Sequence, residues 1–213
     1  MAGKLIQGCI FQAKPVLGLN LYPAIPNAYS ITGMQGKSAS SGDGSIHMRI
    51  NIKTKFGTYA AFVTDTGVYR LFLPTNLNQA DEFERSVDKN KSTPNADAIA
   101  KQLVNEITLY HEGKLKDFNT PICPDVFKVS PFRKSVWETL QKIPYAETWS
   151  YGELAKVAGS TSGRATGGAC SNNPVPLLIP CHRVIASNGA IGGFIGGKEL
   201  KQMLLDLEKT SLS

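Results

Sequence analysis

The residues of this chain best suited to chemistry lie in one short segment, Pro180-Cys181-His182-Arg183-Val184. A free thiol has a pKa of about 8.5, so at neutral pH only a few per cent is nucleophilic thiolate and a base or a positive environment is needed. His182 and Arg183 are the nearest candidates. Adjacent residues of an extended chain point to opposite sides, so contact between Cys181 and His182 needs a tight turn or a bridging water. Glu208 could orient the imidazole as a third member.

The same residues also have purely structural interpretations. A lone cysteine in an apolar segment such as 177–184 is more often a small buried hydrophobic side chain than a nucleophile. His182 could be a core histidine, Tyr151 a core aromatic residue, and Asn173 before Pro174 a turn residue. Taken singly, none of these residues distinguishes a reactive site from a packed core.

The composition is that of a globular protein. With 213 residues, 42% of them hydrophobic, the chain can bury the core of one large domain or two small ones. The net charge of +6 is unevenly distributed, because residues 126–213 carry 10 Lys and Arg against 6 Asp and Glu, whereas residues 1–125 carry 13 against 11. The C-terminal part is therefore the better candidate for binding an anion, although a mild basic excess alone does not establish nucleic-acid binding.

The cysteines are too widely spaced for a disulfide framework or a zinc finger, and they suggest free thiols in a reducing compartment. They are Cys9, Cys123, Cys170 and Cys181. No apolar run has the length of a transmembrane helix or a signal sequence. We therefore expect an intracellular protein with no cofactor and no membrane partner.

The N-terminal half predicts a small sheet. Residues 1–45 are rich in Pro, Gly and Ser and are expected to be mostly loop. Residues 46–53, 58–64 and 68–73 have the patterns of three strands of a β-meander. Residues 77–91 are polar and could form either a loop or a loose helix.

A helix should complete this half. Thr93-Pro94 offers an N-cap and a first helical residue, and the apolar spacing continues until Gly113. Residues 117–125 have the composition of a linker. We therefore predict an α+β domain over residues 1–120 and a second domain over residues 126–213.

The second half predicts a helix-turn-helix. One helix starts at Ser130-Pro131, and Ser150 with Glu153 forms a capping box for another that ends near Ala158. After a short polar turn, a third helix begins at Ser162 and runs to about Ser171.

A small hairpin and a last helix should follow. Asn188-Gly189 favours a type I′ turn between two short strands, which would form the wing of a winged helix. The last helix covers residues 198–209, with its leucines buried and Glu208 on an adjoining face. We thus expect an all-α, winged-helix-like C-terminal domain apart from this hairpin.

Four motifs, taken together, closely resemble those of the O6-alkylguanine-DNA alkyltransferases, also called methylated-DNA–protein-cysteine methyltransferases. The motifs are residues 150–155, 164–169, 173–184 and 189–197, and the likeness extends from about Phe127 to Lys209. The resemblance implies a ribonuclease-H-like N-terminal domain, matched here only in outline.

The resemblance also implies an activity. After base flipping, an alkyl group would pass irreversibly from O6 of guanine in duplex DNA to Cys181. O4 of thymine is a further candidate donor. Each protein molecule would react only once. His182 would deprotonate Cys181 through a water, and Glu208 would orient the imidazole. Tyr151 would donate a proton to the departing guanine, and Asn173 would tie the helix-turn-helix to the cysteine loop.

For the DNA contact, the resemblance implies that Arg164 enters the base stack in place of the flipped nucleotide. The DNA-binding residues would be Arg164, Ala165, Gly167, Gly168 and Ser187. The walls of the alkyl pocket would be Pro176, Val184, Ile191, Gly192, Phe194 and Ile195. The partner would be double-stranded DNA containing O6-alkylguanine, bound by a monomer, in the cytoplasm of a prokaryote or the nucleus of a eukaryote.

This sequence departs from the family pattern at the pocket. Phe194 stands where the family usually has tyrosine, and Ile195 where a small residue is more usual, which predicts a narrower pocket and less tolerance of bulky alkyl groups. Some members bind zinc in the N-terminal domain, but its ligands do not map onto the cysteines and histidines of this chain, and we predict no metal.

Three other functions are compatible with parts of the sequence. A non-catalytic alkyltransferase-like protein would lack the cysteine, whereas Cys181 is present. A winged-helix regulator could use Cys181 to sense alkylation or oxidation, but no effector domain is visible. A thiol hydrolase would need an oxyanion site, and no other motif in the sequence supplies one.

Overall fold

The computed structural model describes residues 29–32, 46–87 and 91–211. Within these residues, four antiparallel strands form one sheet in the order β1-β2-β3-β4. The strands are β1 Tyr29–Thr32, β2 Met48–Thr54, β3 Gly57–Thr64 and β4 Gly67–Phe72. The three predicted strands are confirmed to within two residues, and β1 was not predicted. The rest of the loop predicted for residues 1–45 lies outside the described residues.

Helices cover both faces of this sheet. They are α1 Leu77–Ser86 and α2 Pro94–His111. Ile50, Tyr59 and Val63 pack in the same core cluster as the apolar face of α2, whereas Phe62 packs with Ala80 of α1. The central strand β3 is therefore buried on both sides.

The helix predictions in this half are confirmed. The Thr93 hydroxyl accepts a hydrogen bond from the amide of Ala96 at 3.2 Å, as an N-cap should. After α2, Gly113 adopts a φ of 73°, a left-handed conformation that ends the helical pattern. The polar segment that could have been a loop forms α1, with Phe83 packed edge-on against Phe62.

The segment with linker composition is packed against the first half of the chain. Val68 of β4 donates to Pro121 O at 2.8 Å and accepts from the Cys123 amide at 3.0 Å. A Cβ on Gly67 would lie 2.4 Å from the Cys123 nitrogen, so this approach requires glycine. Proline is tolerated at a sheet edge because its missing donor is not needed there. One hydrophobic core cluster contains residues from both sides of residue 120. The core therefore does not separate the two halves, and the division into two domains stays a prediction.

The C-terminal half contains the predicted helix-turn-helix. Its elements are α3 Pro131–Leu140, β5 Trp149–Ser150, α4 Tyr151–Val157, α5 Gly163–Ser171, β6 Val184–Ile185 and α6 Gly197–Thr210. The capping box is present, because Ser150 Oγ accepts from the Glu153 amide at 3.1 Å and the Glu153 carboxylate accepts from the Ser150 amide at 2.7 Å. Ser130 and Ser162 are simple N-caps of α3 and α5, since their hydroxyls accept from the amides of Arg133 and Ala165.

The chain reverses at Asn188-Gly189 as predicted, but the type I′ turn and the strand pairing predicted for the wing are wrong. β6 pairs in parallel with β5, Trp149 opposite Val184, instead of with a strand after the turn. Gly189 has a φ of 80°, but Asn188 does not have the positive φ that a type I′ turn also requires. The Gly189 amide instead donates to Ala186 O at 3.0 Å, and the Ala186 amide donates to Ala190 O at 2.9 Å, which closes the reversal. The C-terminal half is therefore not all-α apart from a hairpin, because it contains a two-stranded parallel pair.

Across the described ranges, we find no helix that is long and apolar enough to span a membrane. The same ranges contain no group of three or more His, Cys, Asp or Glu side chains placed to hold a metal ion.

Candidate active site and nucleic-acid interface

Cys181 lies at the start of a tight 3₁₀ turn, Cys181–Arg183, and only 4% of it is exposed. Its sulfur accepts a hydrogen bond from Asn173 Nδ2 at 3.1 Å. The same amide donates to Ile179 O at 2.7 Å, and Asn173 Oδ1 accepts from the Val175 amide at 3.1 Å. Asn173 lies just after α5, so it links the helix-turn-helix to the cysteine segment.

His182 is fully buried and has one free ring nitrogen. Its Nε2 lies 2.8 Å from Glu208 Oε1 and 3.3 Å from the Tyr110 hydroxyl. Nδ1 has no hydrogen-bond partner among the described residues. Burial lowers the pKa of His182, against the opposing effect of Glu208, so the ring is neutral. Because an ionised carboxylate only accepts, the proton is on Nε2 and Nδ1 carries the lone pair.

Glu208 is held by donors on both of its oxygens. Arg183 Nη2 donates to Oε1 at 3.0 Å, while Arg183 Nε and the Ala146 amide donate to Oε2 at 3.1 and 2.9 Å. Burial raises the pKa of Glu208, but hydrogen bonds and charge from His182 and Arg183 outweigh it and lower the pKa to about 2. The sequence placed Glu208 beside the buried face of α6, whereas the structure buries it completely.

The Cys181 sulfur carries its proton in the resting protein. Burial raises the pKa of Cys181 to about 11, although the hydrogen bond from Asn173 and the charge of Lys201 act in the opposite direction. The site therefore does not hold a preformed thiolate, and a base would have to remove the proton for the sulfur to act as a nucleophile. The nearest candidate base in the sequence is the free Nδ1 of His182. It would accept the Cys181 proton through a bridging water.

Lys201 was missed by sequence reasoning. It is fully buried on α6, and its Nζ donates to Val184 O and Ile191 O at 2.5 Å each and to Gly193 O at 3.1 Å. Burial lowers the pKa of Lys201 to about 8, so at neutral pH the ammonium still donates to all three carbonyls. A spacing of seven residues places Lys201 on the same helical face as Glu208, a signal that could have identified it.

A small cavity of about 10 Å³ lies next to Cys181. It is lined by Tyr151, Cys170, Ser171, Cys181, Gly193, Phe194 and Ile195. Two of the predicted pocket residues, Phe194 and Ile195, are therefore present, and Cys170 and Ser171 were not predicted.

The other four predicted pocket residues do not line this cavity. Val184 is part of the core, and Ile191 contributes its carbonyl to Lys201. Gly192 lies against the Tyr151 ring, and Pro176 faces a second cavity shared with Asn173. Sequence adjacency to the cysteine did not reveal which side each residue faces.

The N-terminal half holds the loop 192–197 that forms one side of this cavity. Thr75 Oγ1 donates to Gly196 O at 3.2 Å, and Asn76 Nδ2 donates to Ile195 O at 3.1 Å. A Cβ on Gly196 would lie 2.6 Å from Leu73 Cδ1, so the two halves meet closely there and a side chain at this position would displace its neighbours. These contacts join residues more than a hundred positions apart, and no local pattern predicted them.

Two of the predicted DNA-binding residues, Gly167 and Ser187, line a groove beside the helix-turn-helix, and the other three are exposed on α5. An open groove of about 420 Å³ is lined by Tyr151, Gly152, Gly163, Gly167, Ala186 and Ser187. Arg164, Ala165 and Gly168 lie on α5 beside it. The Tyr151 hydroxyl donates to Gly193 O at 3.2 Å, so this side chain lies between the groove and the cysteine cavity. Burial raises the pKa of Tyr151 and keeps the phenol protonated.

Comparisons with known proteins agree with the motifs. The family described as 6-O-methylguanine DNA methyltransferase, DNA binding domain, matches residues 131–210. The constitutive methylated-DNA–protein-cysteine methyltransferase of Bacillus subtilis (strain 168) is 42% identical over 165 residues, which are 75% of this chain and 93% of that protein. The Methanosarcina acetivorans protein of the same name is also 42% identical, over 48% of this chain and 65% of its own length.

Solved structures show the same relationship. The crystal structure of Mycobacterium tuberculosis O6-methylguanine methyltransferase has a TM-score of 0.63 at 27% identity, covering 76% of this chain and 92% of that one. A structure of the M. tuberculosis protein in complex with DNA has a TM-score of 0.61 at 30% identity, with the same coverage. These matches confirm the resemblance seen in the motifs, and the chain belongs to the methylated-DNA–protein-cysteine methyltransferase family.

Proposed function

We propose that this protein repairs DNA by transferring an alkyl group, in the first place methyl, from O6 of guanine to the sulfur of Cys181. The observation that carries the proposal is a buried cysteine thiol followed by a histidine whose Nε2 is bound to Glu208 and whose Nδ1 is free among the described residues. Membership of the family supports this assignment.

The first step makes the sulfur nucleophilic. His182 Nδ1 accepts the Cys181 proton through a water, and the thiolate attacks the alkyl carbon in line with the O6–carbon bond. A sulfur–carbon bond forms while the oxygen–carbon bond breaks, and the bonding electrons leave on guanine. Glu208, ionised because its pKa is about 2, stabilises the imidazolium that His182 becomes.

The second step protonates the leaving base. Tyr151 donates this proton, a role supported by its position beside the cavity next to Cys181 and by a phenol that stays protonated. Guanine then leaves as the neutral base within intact DNA. The thioether on Cys181 has no leaving group that water could displace under mild conditions, so each molecule reacts once.

Substrate access requires a change in both partners. A cavity of about 10 Å³ holds roughly one water molecule, far less than a purine ring. The damaged base must leave the duplex stack, at a cost of a few kcal/mol, and the loop 192–197 must move to admit it. Arg164, at the start of α5, fills the space left in the stack and offsets part of this cost.

Duplex DNA binds across the groove beside α5. Ala165, Gly167, Gly168 and Ser187 present a surface of small side chains there, which permits close approach to a shallow groove. Phosphate contacts from Lys and Arg supply affinity independent of sequence. The protein acts as a monomer, in the compartment that holds the chromosome, and O4-alkylthymine is a further substrate for the same site.

The decisive experiment weighs the intact protein after incubation with a duplex containing O6-methylguanine. The expected product carries one added methyl group, about +14 Da, since a CH₃ replaces H, and every chain reacts once. Cys181→Ala should gain no mass. Cys170→Ala is the matched control and should still gain one methyl group, because its thiol only lines the cavity. An unmodified wild-type protein, or an equal gain in Cys181→Ala, would refute the proposal.

A second experiment tests the role of Arg164. Arg164→Ala should slow repair of duplex DNA by about tenfold or more while leaving the reaction with free O6-benzylguanine almost unchanged, since the free base needs no flipping. Lys156→Ala, which removes another cation from the helix-turn-helix, is the control for general electrostatic loss. Equal losses on both substrates would show that Arg164 is structural.

A further inference from the structure

Tyr110, on α2 in the N-terminal half, reaches the proton-accepting histidine of the other half. Its hydroxyl donates to Glu208 Oε1 at 2.7 Å and lies 3.3 Å from His182 Nε2. The side chain is 1% exposed, and burial and the charge of Glu208 raise its pKa well above the usual value, so it keeps its proton. No sequence motif of the cysteine segment contains this residue.

We propose that Tyr110 is a positioning residue for alkyl transfer: its hydroxyl holds Glu208 Oε1 against His182 and keeps the imidazole neutral, with Nδ1 free to accept the cysteine proton. The inference rests on the proposed function and extends it to a residue that touches neither the sulfur nor the DNA groove. It also adds α2, a helix of the N-terminal half, to the elements that position the acceptor site.

The distribution of donors around Glu208 defines what Tyr110 does. Arg183 donates to both oxygens and the Ala146 amide donates to Oε2, so the carboxylate stays in place without the tyrosine. Tyr110 bonds Oε1, the oxygen that faces His182 Nε2 at 2.8 Å. Its hydrogen therefore neutralises part of the charge nearest the imidazole, while its oxygen accepts a share of the Nε2–H. A carboxylate lacking this donor would attract a proton to the ring more strongly.

The other charged groups around His182 are unchanged by loss of this hydroxyl. Glu208 favours the protonated ring, whereas Arg183 and Lys201 oppose it. The predicted effect of removing the hydroxyl is a higher pKa for His182, because Glu208 Oε1 then loses one of its donors and keeps those of Arg183. More of the base is then protonated at neutral pH, and transfer slows.

The test compares Tyr110→Phe with Tyr59→Phe, a matched control whose buried hydroxyl has no partner within the described residues. The rate of Cys181 methylation is measured by mass from about pH 5 to about pH 9, with duplex O6-methylguanine and with free O6-benzylguanine. Tyr110→Phe should move the acid limb upward by about half to one pH unit, which lowers the rate at pH 7 by up to about threefold and lowers the rate at pH 6 more strongly. Tyr59→Phe should keep the wild-type rate and profile.

An unmoved acid limb in folded Tyr110→Phe would overturn the proposal, since a purely structural role lowers the rate only with the folded fraction. If Tyr110→Phe does not fold, 3-fluorotyrosine placed at position 110 retains the shape and strengthens the donor. It should move the acid limb downward, and no movement would refute the role. Wild-type protein that gains no methyl group would refute the proposed function itself, which separates the two failures.

Discussion

Replacing Glu208 with glutamine should both destabilise the protein and stop the reaction. The carboxylate has no exposed surface and accepts hydrogen bonds from Arg183, His182, Tyr110 and the Ala146 amide. A glutamine side chain has one oxygen and an NH₂ group, so at least one of these donors would face another donor. The guanidinium of Arg183, 5% exposed, would also lose its counter-charge.

The expected loss is about 3 kcal/mol of unfolding free energy. Removing one partner of a buried ion pair costs roughly 3 to 5 kcal/mol. The pKa of Glu208 gives a second route, because a fall from 4.5 to about 2 stabilises the folded state by about 3 kcal/mol at neutral pH. Since the folded pKa is the lower one, this contribution is complete above about pH 4.5 and disappears as the pH falls towards 2.

Urea unfolding at pH 7 measures the stability, and methylation measured by mass gives the rate per folded molecule. Glu106→Gln is the control, because Glu106 is also a buried carboxylate but binds only Thr120, the Asn119 amide and Gln102, away from Cys181. It should lose stability, on the order of 1 to 2 kcal/mol, and keep its rate. Unchanged unfolding of Glu208→Gln would show that the ion pair does not stabilise the fold. A rate in Glu208→Gln equal to that of Glu106→Gln would show that the histidine bond does not assist the reaction.

Three further substitutions test other parts of the structure. Burial lowers the pKa of His111 to about 4, so the unfolding free energy of the wild-type protein should fall by about 2 to 3 kcal/mol between pH 6.5 and pH 4. His111→Phe should flatten that part of a plot of urea midpoint against pH. An unchanged curve would contradict the burial argument. Lys201→Met should leave three backbone carbonyls without their donor. It should lower both the thermal unfolding midpoint and the rate of reaction with O6-benzylguanine. A normal rate would show that the loop 192–197 does not depend on the lysine. Asn173→Ala removes the hydrogen bond to Cys181 and should slow alkylation of that thiol by iodoacetamide at pH 8 severalfold at least. Faster alkylation would indicate that greater exposure of the cysteine segment outweighs the lost hydrogen bond.

The secondary structure was largely predictable because its signals are local. Thr93, Ser130 and Ser150 each cap the helix that the sequence assigned to them, since a cap needs only a hydroxyl two or three residues before the amide it accepts from. The turn type and strand pairing predicted for the wing were wrong for the opposite reason. Asn188-Gly189 is compatible with several turns, and whether Val184 pairs with the residues after that turn or with Trp149 depends on a neighbour 35 positions earlier in the chain.

The site was predictable in its chemistry but not in its geometry. The motif around Cys181 predicted a thiol, a histidine base and a distant glutamate, and the structure brings His182 and Glu208 into contact. It could not predict that the thiol is fully protonated, because the pKa of about 11 results from burial by the surrounding fold. Nor could it separate Phe194 and Ile195, which line the cavity, from Val184, which belongs to the core.

The sequence by itself predicted most of the helices and strands, indicated the family and singled out Cys181 as the candidate nucleophile, because caps, periodicity and motif spacing depend on neighbouring residues. Only the tertiary structure decided which nitrogen of His182 is free and which residues hold the site in place. Tyr110 lies 72 positions from His182, and Thr75 lies 121 positions from Gly196. Contacts over such separations depend on how α2 and the sheet pack against the C-terminal half, and packing leaves no short-range pattern from which they could be predicted.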